Sequence, residues 1–297
     1  PPPPRPTRCT HRRQRQMCIR DRFSAALAAL LVGPLLAGQA VADPAQDLAA
    51  FRDLYQKRFP DIPLAAHKDG AYALDAAKRE QWLEMEDFPP YEIAVDDGAE
   101  LYGEPFPDGG SYDDCLGEGA PAVKQLYPRF DVSAGQVVTL EMALNDCRVK
   151  GGLEPLAYEG EEMAALAAYV AMESRGEVFD FVIPDEPGAL AAYESGKAFY
   201  YTRRGQLNFA CSSCHLQNAG MMLRAERLSA AVGHATHWPV YRGKWERVGS
   251  LHRRFQECNV QVRAETLDEQ SETYRNLEYF LTYMNNGMEL NGPASRK

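Results

Sequence analysis

The stretch Cys211-Ser212-Ser213-Cys214-His215 decides the fold of this chain. It has the form C-x-x-C-H, which is the attachment signature of a c-type haem. Two thiols at this spacing reach the two vinyl groups of one porphyrin, and the histidine that follows is held against the iron as an axial ligand. A redox disulfide would need a strand before the motif, and a zinc site would need a second ligand pair. Neither is evident, so the motif predicts one covalent haem c.

Length and charge narrow the class of protein. The 297 residues suggest two domains, and the formal net charge is -10. Residues 1–42 hold seven Arg and one Asp, so the remainder of the chain carries -16. An acidic chain repels the phosphate backbone, and no nucleic-acid partner is expected. The charge suits association with a basic protein partner.

An apolar run rich in Ala and Leu occupies residues 23–42 behind a basic flank and ends in Ala40-Val41-Ala42. This pattern predicts a leader with a signal peptide over residues 1–42, cut before Asp43. A membrane anchor is the alternative, but Gly33-Pro34 interrupts the run and small residues end it. We therefore expect a periplasmic protein that is not held in the membrane after cleavage. The first 22 residues resemble no domain and are left out of the fold prediction.

Three blocks of sequence recur at a constant offset of 111 residues, which relates Pro128 to Pro239, Cys147 to Cys258 and Gly176 to Gly287. The constant register predicts two copies of one helical unit. The predicted fold class is all-α, with two tandem cytochrome c-like domains related by internal duplication, over residues 43–182 and 183–297. Two unrelated helical domains of similar composition are the alternative, but they would not explain the shared Cys and Pro positions.

The first copy carries a remnant of the haem motif. Cys115 stands where a second cysteine would be, Tyr112 replaces the first cysteine, and Leu116 replaces the histidine. Without a proximal histidine no iron can be held there. Only the C-terminal domain is therefore expected to retain haem.

Hydrophobic periodicity predicts helices over residues 43–58, 74–85, 161–175, 185–204 and 272–286. The stretch 87–110 is rich in Pro, Gly and acidic residues and is predicted to be a loop. An early helix that leads into C-x-x-C-H and a late helix that packs against it form the cytochrome c arrangement.

Five cysteines remain after cleavage, and two of them form thioethers. Cys115 and Cys147 lie in the copy without haem and could meet as a disulfide in an exported protein. That leaves Cys258 unpaired, and a lone thiol in an oxidising compartment needs an explanation. We expect Cys258 to bind the iron opposite His215. A buried inert cysteine and an intermolecular disulfide are the alternatives.

Other side chains could take that distal position, namely Met221, Met222, Met284, Met288, His234 and His237. Cys258 is preferred because its repeat partner Cys147 marks the same structural place. A thiolate ligand lowers the potential of ferric iron, which favours a reaction centre over an electron carrier. Arg254 lies one helical turn before Cys258, so both can face one pocket. Its guanidinium suits an oxyanion, while a haem propionate or a surface ion pair is the alternative partner.

These residues together resemble the SoxA family, the catalytic subunits of the SoxAX cytochromes of thiosulfate oxidation. The resemblance runs from about Leu48 to the end of the chain. Its motifs are residues 127–131, 145–148, 211–215, 239–242 and 254–263. The departures at Tyr112 and Leu116 match the one-haem form of the family, which implies a Cys115–Cys147 disulfide.

The resemblance implies an L-cysteine S-thiosulfotransferase in the periplasm. Such a subunit pairs with SoxX, a small cytochrome c, and joins thiosulfate oxidatively to a cysteine of the SoxYZ carrier. Electrons leave through haem to SoxX and then to a soluble electron-acceptor cytochrome c. By the same resemblance Cys258 is a catalytic iron ligand and Arg254 lines the substrate site. The alternative function is a plain periplasmic electron-transfer cytochrome c with a methionine as distal ligand.

Overall fold

The computed structural model describes residues 43–296, which belong to one compact unit. The predicted signal peptide lies outside the described residues. The α-helices are α1 (Pro44–Arg58), α2 (Ala76–Glu86), α3 (Glu92–Gly103), α4 (Tyr112–Leu116), α5 (Leu140–Lys150), α6 (Glu161–Glu173), α7 (Pro187–Tyr201), α8 (Leu251–Gln261) and α9 (Glu272–Met284). A 3-10 segment, Leu64–Leu74, joins α1 to α2, and a π-helical turn spans Ser213–Gln217. Within residues 43–296 no helix is long and apolar enough to cross a bilayer.

Short strands add to the predicted helical class, which is otherwise confirmed. They are β1 (Arg129–Asp131), β2 (Gln136–Val138), β3 (Met222–Leu223), β4 (Glu226–Arg227), β5 (Val240–Arg242), β6 (Arg247–Gly249) and β7 (Ala294–Arg296). β1 pairs with β2, and β3 with β4, as antiparallel ribbons. β5 pairs with β6 antiparallel and with β7 parallel. Strands of two or three residues are too short to leave a readable alternation in the sequence.

The loop predicted over residues 87–110 is wrong, because α3 occupies its centre. The breaker-like Gly98 is a packing residue: it lies where α3 crosses α6, and an added Cβ would collide with the carbonyl of Ala165. Gly196 plays the same part where α7 crosses α9, against the carbonyl of Asn276. The acidic residues of α3 face outward, which hid its helical character from a reading of composition.

The order of elements is the same in the first half of the described chain, residues 43–182, and in the second half, residues 183–296. A cis X-Pro bond, at Tyr127–Pro128 and Trp238–Pro239, precedes an antiparallel hairpin in each half. An 11-residue helix, α5 or α8, follows, and then a 13-residue helix, α6 or α9. The hydroxyls of Thr139 and Ser250 cap α5 and α8 at their N-termini.

A buried ion pair joins the two halves. The Lys124 ammonium of the first half lies 3.8 Å from a carboxylate oxygen of Glu278 on α9, and both side chains are almost fully buried. His252 Nε2 lies 3.1 Å from the other oxygen of Glu278. Nearby, the hydroxyl of Thr139 donates to Gln270 Oε1 at 2.8 Å. Because such groups are costly to bury unpaired, these contacts hold the seam in one register.

Candidate haem site

The attachment motif begins ten residues after the end of α7 and continues into the π-helical turn. Cys211 and Cys214 are free thiols. The backbone N–H of Ala210 donates to the hydroxyl of Ser213 at 3.1 Å, and the Asn218 amide donates to the Ser213 carbonyl at 2.7 Å. These local hydrogen bonds hold both thiols of the motif on one short turn.

His215 is held in one orientation by a backbone carbonyl. Its Nδ1 lies 3.1 Å from the Ser229 carbonyl oxygen, so Nδ1–H donates and the lone pair of Nε2 is available. The carbonyl of His215 accepts from the hydroxyl of Tyr55, to which the N–H of Ala231 donates at 3.1 Å. Burial lowers the pKa of His215 to about 4, so the imidazole is neutral, as iron ligation requires.

These residues fit a c-type haem. Two unpaired thiols at C-x-x-C spacing supply the thioether links, and the neutral imidazole of His215 presents Nε2 while its Nδ1 is bound to a carbonyl. A metal-binding histidine usually has this second hydrogen bond, which fixes the tautomer and makes the ligand more basic. Cys211, Cys214 and His215 would therefore hold the haem.

Cys258 and Arg254 lie beside the motif, as the sequence predicts. Burial raises the pKa of Cys211 to about 11, and the negative charge of the nearby Cys258 raises it further. Cys258 acts on Cys214 in the same direction, while Arg254 opposes it. One turn of α8 carries both Cys258 and Arg254 toward the attachment thiols, and the Cys258 side chain is partly exposed. The position of Cys258 across the iron from His215 stays a prediction.

The other potential distal ligands lie in different surroundings. Met221 and Met222 are more than half exposed, whereas Met284 and Met288 pack in the hydrophobic core. The His234 ring contacts the His215 ring edge to face at 4.4 Å, and its Nε2 lies 2.9 Å from the Ser229 hydroxyl. His234 therefore belongs to the His215 side of the site. The His237 ring stacks on Trp238 at 5.7 Å.

Three residues that the sequence analysis did not assign to the site surround Arg254. Glu257 accepts from Arg254 and, at 2.6 Å, from Lys244, while Arg242 Nε lies 3.9 Å away. Burial alone would raise the pKa of Glu257, but the Lys244 hydrogen bond and the charges of Arg254 and Arg242 hold it below its usual value. The carboxylate is therefore ionised. A residue-by-residue comparison of the two copies could have found this cluster.

Together the helical fold and the C-x-x-C-H site define a c-type cytochrome. The family model described as SoxA/TsdA, cytochrome c domain, matches residues 97–179. The L-cysteine S-thiosulfotransferase subunit SoxA of Allochromatium vinosum is 54% identical over 271 residues, 91% of this chain and 95% of that protein. The SoxA subunit of Chlorobaculum tepidum is 48% identical and covers 84% of this chain and 87% of its own length. The chain belongs to the SoxA family of L-cysteine S-thiosulfotransferase subunits.

A solved structure agrees with that assignment. The crystal structure of SoxXA from P. pantotrophus superimposes with a TM-score of 0.66 at 30% sequence identity, and covers 73% of this chain and 84% of the matched chain. The stretch matched by the family model, residues 97–179, lies in the half without C-x-x-C-H. The likeness to this family therefore extends beyond the haem motif itself.

Proposed function

We propose that this chain is the catalytic, one-haem subunit of a periplasmic SoxAX cytochrome that joins thiosulfate to a cysteine of the SoxYZ carrier. The observation that carries the proposal is the meeting of Cys258 and Arg254 with the attachment thiols Cys211 and Cys214. A sulfur nucleophile beside a guanidinium suits chemistry on a sulfur oxyanion. An electron carrier would need neither group.

The proposed reaction balances without other reactants. Arg254 binds the sulfonate oxygens of thiosulfate, and the sulfane sulfur forms a bond to the Cys258 sulfur with loss of two electrons. The carrier thiolate then attacks that sulfane sulfur, so that the carrier retains the thiosulfonate and Cys258 leaves as a thiolate. A bound haem c would supply the route by which the two electrons leave.

We further propose that the two halves are tandem cytochrome c-like domains that arose by duplication, over residues 43–182 and 183–297. The common order of hairpin and helices at an offset of 111 residues supports this. A single haem is proposed because the first half has no proximal histidine and its two cysteines form a disulfide. His215 and Cys258 are the proposed iron ligands.

The partners follow from the named relatives. The matched crystal structure contains SoxX with SoxA, so the proposed partner is a SoxX subunit that receives electrons and passes them to a soluble cytochrome c. The predicted signal peptide and the disulfide support a periplasmic location. Thiosulfate and SoxYZ are the proposed substrate and carrier.

The deciding experiment is the substitution Cys258→Ala in the haem-loaded complex with SoxX. We expect conjugation of thiosulfate to SoxYZ to fall by about 10³-fold or more, because the nucleophile is removed. Val260→Ala on the same helix is the control, since this side chain is 62% exposed. Haem absorbance checks that both variants are loaded. Full conjugation activity in Cys258→Ala would contradict the catalytic role.

Ferric spectra separate the rival electron-carrier function. Methionine ligation gives a weak sulfur-to-iron band near the red edge of the visible, which a thiolate-ligated haem lacks. We expect the wild-type protein to lack this band and to be hard to reduce. The band in wild type, unchanged in Cys258→Ala, would favour the carrier.

A further inference from the structure

The cations around Glu257 outnumber the carboxylates in contact with them. Arg242, Lys244 and Arg254 converge on this single side chain, which is 11% exposed. The cluster therefore has a net charge of +2. Two of the cations are largely buried, since Arg242 is 16% and Arg254 23% exposed. Buried cations in excess of their acidic partners are costly unless an anion joins them.

One nitrogen of the cluster has no partner. Arg242 Nε is buried and forms no hydrogen bond within the described part of the chain. Its distance of 3.9 Å from Glu257 is too long for one. The Arg242 guanidinium lies over the Trp245 ring at 5.2 Å, which limits where it can move. A fixed guanidinium with an unused N–H is suited to receive an oxygen.

The first copy shows that these cations are not part of the common fold. At the offset of 111 residues, Arg242 corresponds to Asp131, Lys244 to Ser133 and Arg254 to Ala143, whereas Glu257 corresponds to another acid, Asp146. The hairpin and the helix have the same lengths in both halves. Folding of the unit therefore does not need the three cations, and their excess is confined to the half that carries the haem motif.

We infer that Arg242 and Lys244 complete, with Arg254, a binding site for a doubly charged sulfur oxyanion, in which Glu257 is an internal counter-ion that the incoming anion displaces. The inference rests on the proposed function and deepens it. A dianion such as thiosulfate matches the net charge of +2. Glu257 keeps the three cations gathered when the anion is absent, at the cost of competing with it. Glu257 is thus a positioning residue, and Arg242 and Lys244 set specificity.

Glu257→Gln is the central test, with Glu265→Gln as its control. Glutamine keeps the shape and a hydrogen-bonding oxygen but removes the competing charge. Glu265 is exposed and takes part in none of these ion pairs. We expect Glu257→Gln to lower the KM for thiosulfate about fivefold with kcat within twofold, and Glu265→Gln to change neither. A KM for Glu257→Gln that is unchanged or raised would overturn the counter-ion role.

Lys244→Met provides a second arm that does not depend on the folding of a buried variant, because the Lys244 side chain is 67% exposed. We expect a rise in KM of about threefold to fivefold, as for loss of one exposed charge pair. Lys57→Met, at a 75% exposed lysine of α1, is the control. An unchanged KM in Lys244→Met excludes this lysine from the site.

Arg242→Met separates substrate binding from haem binding. We expect its KM to rise about tenfold, with haem content unchanged. If Arg242 instead anchors a haem propionate, haem incorporation falls while KM stays constant, and the inference fails for Arg242.

Calorimetric titration of the haem-loaded proteins with thiosulfate, without the carrier, gives a readout besides activity. We expect the dissociation constants of the variants to follow the KM pattern. If wild type binds thiosulfate in this pattern but does not conjugate it, the proposed function fails and the anion site stands. If wild type conjugates thiosulfate and Glu257→Gln binds no tighter, only the inference fails.

Discussion

The two halves of this molecule share an order of elements and differ in what fills their centres. In the first half a Cys115–Cys147 disulfide closes the place of the haem motif. Tyr112 is fully buried there, stacked on Tyr102 at 5.0 Å and edge-on to Phe106 at 4.8 Å. In the second half the corresponding sulfurs, at positions 214 and 258, are free. The same framework therefore supports a sealed aromatic core on one side and an open reactive centre on the other.

The difference teaches that the framework does not depend on a prosthetic group. Helix crossings at Gly98 and Gly196, N-caps at the start of α5 and α8, and an equivalent hydrogen bond are found in both halves. Asn145 donates to the Leu156 carbonyl at 2.9 Å, and its counterpart Gln256 donates to the Leu267 carbonyl at 3.0 Å. Buried aromatic area, at about 25 cal/mol per Å², can supply what a haem would otherwise contribute to the first core.

Exchange of the motif residues between the halves should have the largest effect. Cys211→Tyr with His215→Leu places the residues of the first half in the second, and we expect complete loss of covalent haem. Tyr112→Cys with Leu116→His recreates C-x-x-C-H over residues 112–116, but we expect no second haem, because Tyr102 and Phe106 fill the space. Pyridine haemochrome gives the haem-to-protein ratio. Two haems per chain in the second variant would break the comparison.

Alanine at the two helix crossings should destabilise both halves alike. At Gly98 or Gly196 an added methyl collides with a backbone carbonyl of the facing helix, so we expect a loss of about 3 kcal/mol in the free energy of unfolding. Gly103→Ala is the control, since an added Cβ there meets nothing within 4 Å. Denaturant unfolding measures the loss. Only Gly196→Ala should also alter the haem spectrum; an equal spectral change in Gly98→Ala would contradict the separation of the halves.

Removal of the disulfide should cost stability without cost to catalysis. The bridge joins residues 32 apart, so Cys115→Ala with Cys147→Ala should lower the free energy of unfolding by about 3 to 4 kcal/mol on the chain-entropy model. Conjugation activity per haem should stay within twofold of wild type. Thermal unfolding and the conjugation assay check the two statements, and a large loss of activity in the folded variant would show that the first half takes part in the reaction.

The smallest expected effect concerns pH and the seam between the halves. Burial raises the pKa of Glu269 to about 7, and Glu141 and Glu159 of the first half add to the shift. The folded state then binds more protons than the unfolded state between pH 4.5 and 7, so its stability falls as the pH rises through that window. We expect Glu269→Gln to remove on the order of 1–3 kcal/mol of this loss. Urea unfolding at pH 5 and pH 8 tests it, and equal pH slopes in both proteins would contradict it.

The site was predictable from local patterns to a defined extent. C-x-x-C-H has a spacing fixed by covalent chemistry, and Arg254 and Cys258 lie one helical turn apart, so both could be assigned without a structure. The carbonyl partner of His215 lies 14 residues away, and Arg242 and Lys244 lie on a hairpin. No periodicity connects such pairs. The family resemblance is confirmed, whereas the iron ligand opposite His215 stays a prediction.

The amino-acid sequence by itself determined the attachment chemistry, the register of the two copies and which cysteines remain for other roles, because these depend on spacing along the chain. Only the tertiary structure decided that residues 92–103 form a helix, that tyrosines fill the first core and that three cations gather on Glu257. These features depend on which distant residues become neighbours. That is decided when helices pack and exclude water, since burial changes both the room for a side chain and the strength of a charge.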